Sequence, residues 1–163
     1  IIAAGMWSGD PERAAKVDFS NTYYTDGAAL LVKSDNDTIT GLDSLTSSQK
    51  VATQIATNYA DDLNALVEEG KLGQAVILDG FDTCVLQVLN GDVDAMMAGA
   101  SIVQAYMEKN PDKLKVVGDK DSYEDLGFAV KKGNSELLQK INDGLANLME
   151  NGKYDELLKK WFN

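Results

Sequence analysis

Between Lys50 and Val117 the apolar pattern alternates between a period near two and a period near 3.6, and this limits the fold more than any other feature of the chain. Val51–Ile55, Gln74–Leu78, Val93–Met97 and Leu114–Val117 read as strands. Asn58–Glu69, Phe81–Leu89 and Ser101–Lys109 read as the helices between them, with Tyr59, Leu63, Leu66 and Val67 on one face of the first. Asn90-Gly91 stops the second helix and Pro111 lies just past the third. Strands joined by helices of about ten residues predict a parallel sheet with helical crossovers, so the fold class is α/β.

The flanking segments carry their own signals. Ile1–Gly5 reads as a short strand, and Ser8-Gly9-Asp10-Pro11 as a turn with Pro11 at the first position of a helix. Gly27–Lys33 and Leu126–Lys131 are apolar runs of strand length and similar character. Asn134 or Ser135 caps a helix whose Leu137, Leu138, Ile141, Leu145 and Leu148 share a face, and Asn151-Gly152 ends it. Tyr154, Leu157, Leu158, Trp161 and Phe162 repeat that spacing, so each closing helix has an apolar face to bury.

Charge and residue usage exclude several function classes. The net charge of −11 over 163 residues repels phosphate backbones and anionic lipid, which argues against nucleic acid as a partner. Histidine is absent, which removes the usual proton shuttle near neutral pH and the commonest metal ligand. Cys84 is the one cysteine, so no disulfide forms within the chain, and its neighbours Phe81, Val85 and Val88 predict a buried helical thiol. The Asp35-Asn36-Asp37 cluster lacks the glycine and closing glutamate of a calcium loop. No metal or cofactor is expected.

Four motifs in register resemble one family. Gly5-Met6, Pro11-Glu12-Arg13, Val17-Asp18-Phe19-Ser20 and Tyr23-Tyr24 form the first. Phe81-Asp82-Thr83 with Leu89-Asn90-Gly91-Asp92-Val93-Asp94-Ala95 form the second. Leu126–Asn134 (LGFAVKKGN) is the third, and Gly152-Lys153-Tyr154-Asp155 with Lys159-Lys160-Trp161-Phe162 the fourth. Together they resemble the family 3 extracellular solute-binding proteins, which have the type II periplasmic-binding-protein fold. The resemblance implies one complete lobe at residues 34–123 and an incomplete lobe from residues 1–27 and 127–163. Strands at 27–33 and 126–131 would be the hinge crossings. The first strands of the family's first lobe have no counterpart, which implies N-terminal truncation and an incomplete lobe able to pair with a second copy.

The same resemblance implies a substrate-binding component of an ABC importer, an extracytoplasmic protein that closes on an amino-acid-like solute and then docks on membrane permease subunits. It implies no enzyme activity. A ligand-sensing domain of a receptor and a lyase on the same scaffold are the alternatives. Arg13 is expected to clamp the ligand carboxylate, because its planar fork can make two parallel bonds. This chain has one residue more than the family pattern between Gly5 and Pro11, so Trp7 and Ser8 compete for the place of a hydroxyl-bearing ligand residue. Gln54, Thr57 and the Asn58 backbone would face the ligand from the second lobe, with Thr57 as either a ligand contact or a plain helix cap. Ala56 stands where the family usually has glycine, and Gly99 where it places the aspartate that pairs with an α-ammonium. Asp79 and Asp82 are candidate replacements for that carboxylate, and Asp94 reads as a structural strand residue.

Overall fold

A computed structural model describes residues 1–118 and 123–162, with the backbone alone at Tyr123. Residues 119–122 of the expected complete lobe, and Asn163 of the incomplete one, lie outside the described residues. The elements run β1 (Ile2–Trp7), α1 (Pro11–Lys16), β2 (Val17–Phe19), β3 (Tyr24–Lys33), β4 (Lys50–Gln54), α2 (Asn58–Glu68) and β5 (Gln74–Leu78). They continue as α3 (Phe81–Asn90), β6 (Ala95–Gly99), α4 (Ala100–Lys109), β7 (Leu114–Val117), β8 (Tyr123–Lys131), α5 (Ser135–Glu150) and α6 (Lys153–Phe162). The chain divides into two compact units, Ile1–Asp26 with Tyr123–Asn163, and Gly27–Ser122.

In the second unit β5, β4 and β6 are parallel neighbours, as the alternating pattern predicts. β3, read from the sequence only as an apolar run at a hinge crossing, joins this sheet antiparallel to both β6 and β7. The reason is where β3 ends. Lys33 pairs with Leu114 and Val32 with Ala95, so the chain leaves β3 at the end where β4, β6 and β7 begin. Residues 34–49 therefore need no crossover helix and hold only a 3-10 turn at Leu42–Ser44. Leu30, Leu31, Val51, Leu63, Cys84, Val88, Met96, Val103 and Leu114 are buried between this sheet and its helices. Each such large side chain contributes about 1.5–3 kcal/mol of transfer free energy.

The strand read at Val93–Met97 begins two residues later, at Ala95. Gly91 closes α3 in the left-handed conformation, at φ 83, and the amides of Asp92 and Val93 still turn back to the Gln87 carbonyl. Asp94 lies just ahead of the strand. Its amide donates to the Lys50 carbonyl (2.9 Å) and its carboxylate accepts from the Lys50 amide (2.7 Å), fixing the start of β4.

In the first unit β8 lies between β1 and β2, antiparallel to both, and α1 carries the chain across it. Tyr23 stacks on Phe128 and Tyr24 on Phe162, with centroids 4.4 and 4.5 Å apart. The Tyr154 hydroxyl donates to the Tyr23 carbonyl (2.6 Å), tying α6 to this core. The closing helices bury less than their patterns predict. Leu145 is the one buried residue of α5, α6 has none, and Ile1, Phe128, Ile141, Leu145 and Leu148 line an open recess of about 430 Å³.

Candidate functional site

Parallel strands of an α/β sheet present their carboxyl ends, and the amino ends of the following helices, along one edge where ligands bind. In the second unit that edge carries Gln54, Leu78 and Gly99, which end β4, β5 and β6 ahead of α2, α3 and α4. The Ile55 amide donates to the Leu78 carbonyl (2.8 Å), and the buried Thr53 hydroxyl donates to the Met97 carbonyl (2.8 Å). These bonds lock β4 to its neighbours on both sides, so the turns beyond it share a rigid base.

The residues before these helices, Thr57, Gly80 and Gly99, make no side-chain capping bond. By contrast, Asp10 caps α1 and Asn134 caps α5 with side-chain oxygens. Of the two readings of Thr57, the plain cap is not what its hydroxyl does. Thr57 Oγ1 donates to the Gln54 carbonyl (2.7 Å), closing the turn rather than covering the helix end. Ala56 sits inside that turn at φ 61, in the left-handed region that glycine occupies without strain. The backbone requirement explains why glycine suits the position.

The two candidate replacement carboxylates differ in what they touch. Asp82 Oδ1 accepts a short bond from the Tyr106 hydroxyl (2.6 Å), and burial together with that carboxylate pushes the Tyr106 phenol up to about 12. Asp79 is exposed in the turn between β5 and α3. Burial pushes the Cys84 thiol up to about 11, so it is a core group and not a nucleophile. Among the described residues no group of three or more Cys, Asp and Glu side chains could hold a metal ion. Asn36 Oδ1 instead accepts from the amides of Thr38 and Ile39, and Asp37 pairs with Lys115 at 2.9 Å.

The first unit holds the other candidates in one continuous segment. Gly5 has φ 61 at an irregularity of the β1–β8 register between Ile2 and Met6, a bulge that re-aims the following residues. Trp7 folds back on its own turn, because a Cβ built on Gly9 would lie 2.7 Å from the indole Nε1. Ser8 donates to the Asp125 carbonyl through both its amide and its hydroxyl, each at 2.9 Å, so its hydroxyl proton is committed within the unit. Asp10 Oδ1 accepts from the amides of Glu12 (2.8 Å) and Arg13 (3.2 Å), and its Oδ2 lies 3.0 Å from Arg13 Nε.

Gly5, Trp7, Ser8 and Arg13 thus sit together around the β1–α1 turn. Gln54, Thr57, Asn58 and Gly99 sit together on the carboxyl edge of the second unit's sheet. Sequence reasoning passed over Asp10 and Tyr106. Asp10 had a signal, an acidic residue directly before a first-turn proline. Tyr106 had none, because its partner lies on another helix.

The sequence pattern of the bacterial extracellular solute-binding proteins, family 3, matches residues 1–163. The putative ABC transporter arginine-binding protein 2 of Escherichia coli K12 is 32% identical over 166 residues, covering 99% of this chain and 65% of that protein. The L-cystine-binding protein TcyJ of the same strain is 34% identical over 153 residues, covering 93% of this chain and 56% of that protein. The chain therefore spans between about half and two thirds of the length of these relatives. Among solved structures, an ancestral arginine-binding protein bound to arginine superposes with a TM-score of 0.90 at 35% identity, covering 98% of this chain and 70% of that one. A pattern matched along the whole chain, with an α/β fold shared at that score, decides the matter: the chain belongs to the family 3 bacterial extracellular solute-binding proteins.

Proposed function

We propose that this chain belongs to the substrate-binding component of an ABC importer and takes an amino acid or a related small polar solute. The edge at β4, β5 and β6 carries this reading. Three helices start there, each preceded by a residue whose own side chain places no cap on it, and their aligned dipoles suit a ligand carboxylate. Arg13 supplies the guanidinium that completes carboxylate recognition, and the two units close on the solute by bending at the crossings near residues 27–33 and 126–131. The closed form then docks on permease subunits at the outer face of the membrane. Among the described residues no helix is long and apolar enough to cross a membrane.

Chemistry supports binding rather than turnover. The chain has no histidine, and its one thiol is buried with a raised pKa. The relatives named above are binding proteins by name. Thermal denaturation of the complete native chain with L-arginine, L-glutamine and L-cystine tests the reading. A ligand present at a hundred times its Kd stabilises by about 2.7 kcal/mol, which raises the Tm by roughly 5–10 °C for a protein of this size. Absence of any such rise across the panel would refute the assignment.

A further inference from the structure

We infer that Asp10 is a positioning residue for ligand recognition, holding the Arg13 guanidinium in one orientation through its Nε edge. This rests on the reading of Arg13 as the carboxylate clamp. The two oxygens of Asp10 act on the same partner in different ways. Oδ1 accepts the Arg13 amide together with that of Glu12, fixing the backbone of the first turn. Oδ2 lies 3.0 Å from Arg13 Nε, fixing the side chain. Among the described residues Arg13 makes no other ion pair.

A guanidinium has two hydrogen-bonding edges, one shared by Nε and an Nη group and one formed by the two Nη groups. With the Asp10 carboxylate paired 3.0 Å from Nε, the outer Nη edge remains for a ligand carboxylate. A free arginine loses considerable rotamer freedom on clamping a ligand, and a pre-aligned one loses less. The pair is partly withdrawn from solvent, with side-chain exposures of 27% for Arg13 and 22% for Asp10, so screening weakens it less than a surface pair.

Asp10→Asn separates this role from helix capping. Asparagine caps as well as aspartate does, so α1 keeps its first turn. Its neutral amide, however, removes the charge that pairs with the guanidinium and releases the side chain. Titration calorimetry on the complete native chain uses whichever of L-arginine, L-glutamine and L-cystine binds, with its carboxamide analogue as the control. Asp10→Asn should weaken the carboxylate-bearing probe about tenfold, leave the carboxamide unchanged, and keep the Tm near that of the unsubstituted chain. In an Arg13→Gln background the same substitution should have no further effect. An equal loss in both backgrounds, or for both probes, would overturn the positioning role while leaving the binding function intact. If Asp10→Asn binds as tightly as the unsubstituted chain while Arg13→Gln binds weakly, the inference also fails alone. If Arg13→Gln changes nothing, the clamp reading fails and the inference with it.

Discussion

Replacing Ala56 by glycine should stabilise the protein, although glycine usually weakens it. Ala56 is exposed and lies in the turn from β4 to α2 with φ 61, where its Cβ approaches the following carbonyl. Holding an L-residue there costs about 1–2 kcal/mol. Glycine removes that strain but frees the unfolded chain, which costs about 0.4–1 kcal/mol in return. The difference favours Ala56→Gly by roughly 0.5–1 kcal/mol. For a protein of this size that corresponds to a rise of about 1–4 °C in Tm. Urea denaturation followed by circular dichroism measures it as a higher midpoint at unchanged slope. Ala65→Gly, an exposed position within α2, supplies the control of opposite sign and should cost about 1 kcal/mol. If Ala56→Gly destabilises by an amount similar to Ala65→Gly, the turn does not hold Ala56 in the left-handed region and the argument for this edge's backbone shape collapses.

Gly73→Ala should destabilise by about 1–3 kcal/mol, because the added Cβ would lie 2.6 Å from the Ser47 carbonyl oxygen and 2.8 Å from that of Gln49. Equal urea midpoints for the two proteins would show that this backbone yields freely. Cys84, fully buried with its thiol at about 11, should resist thiol reagents at pH 8 until the fold opens. Labelling of the native protein as fast as in denaturant would contradict its place in the core. Tyr106, raised to about 12 from 10.0, stabilises the fold fully below pH 10 and loses that contribution as pH climbs toward 12. Tyr106→Phe should flatten that part of the stability profile, and an unchanged profile would remove Tyr106 as its cause. Asp18, whose carboxyl is lowered by the Gly133 amide and by Lys132, contributes in the opposite direction. Its stabilisation is present above pH 3.8 and disappears on further acidification, so Asp18→Asn should reduce acid sensitivity in a pH-dependent unfolding series.

What the sequence determined by itself is the set of local choices. Pro11 opens α1, Asn134 caps α5 by accepting from Leu137, and Gly152 follows that helix at φ 77. Each depends on residues within one or two turns, so a single stretch of chain is sufficient evidence. The motifs likewise carried the family, because their order and spacing are linear properties. The direction of β3 was not legible, since an apolar run of strand length looks the same in either orientation. It is fixed by pairing with β6 and β7, more than sixty positions along the chain. The partners of polar side chains were equally hidden. Thr57 turns to the Gln54 carbonyl instead of its own helix, and Asp82 binds Tyr106 from another helix. Residue type sets what a hydroxyl or carboxylate can bond, but burial and proximity choose among the partners, and only the folded chain supplies those.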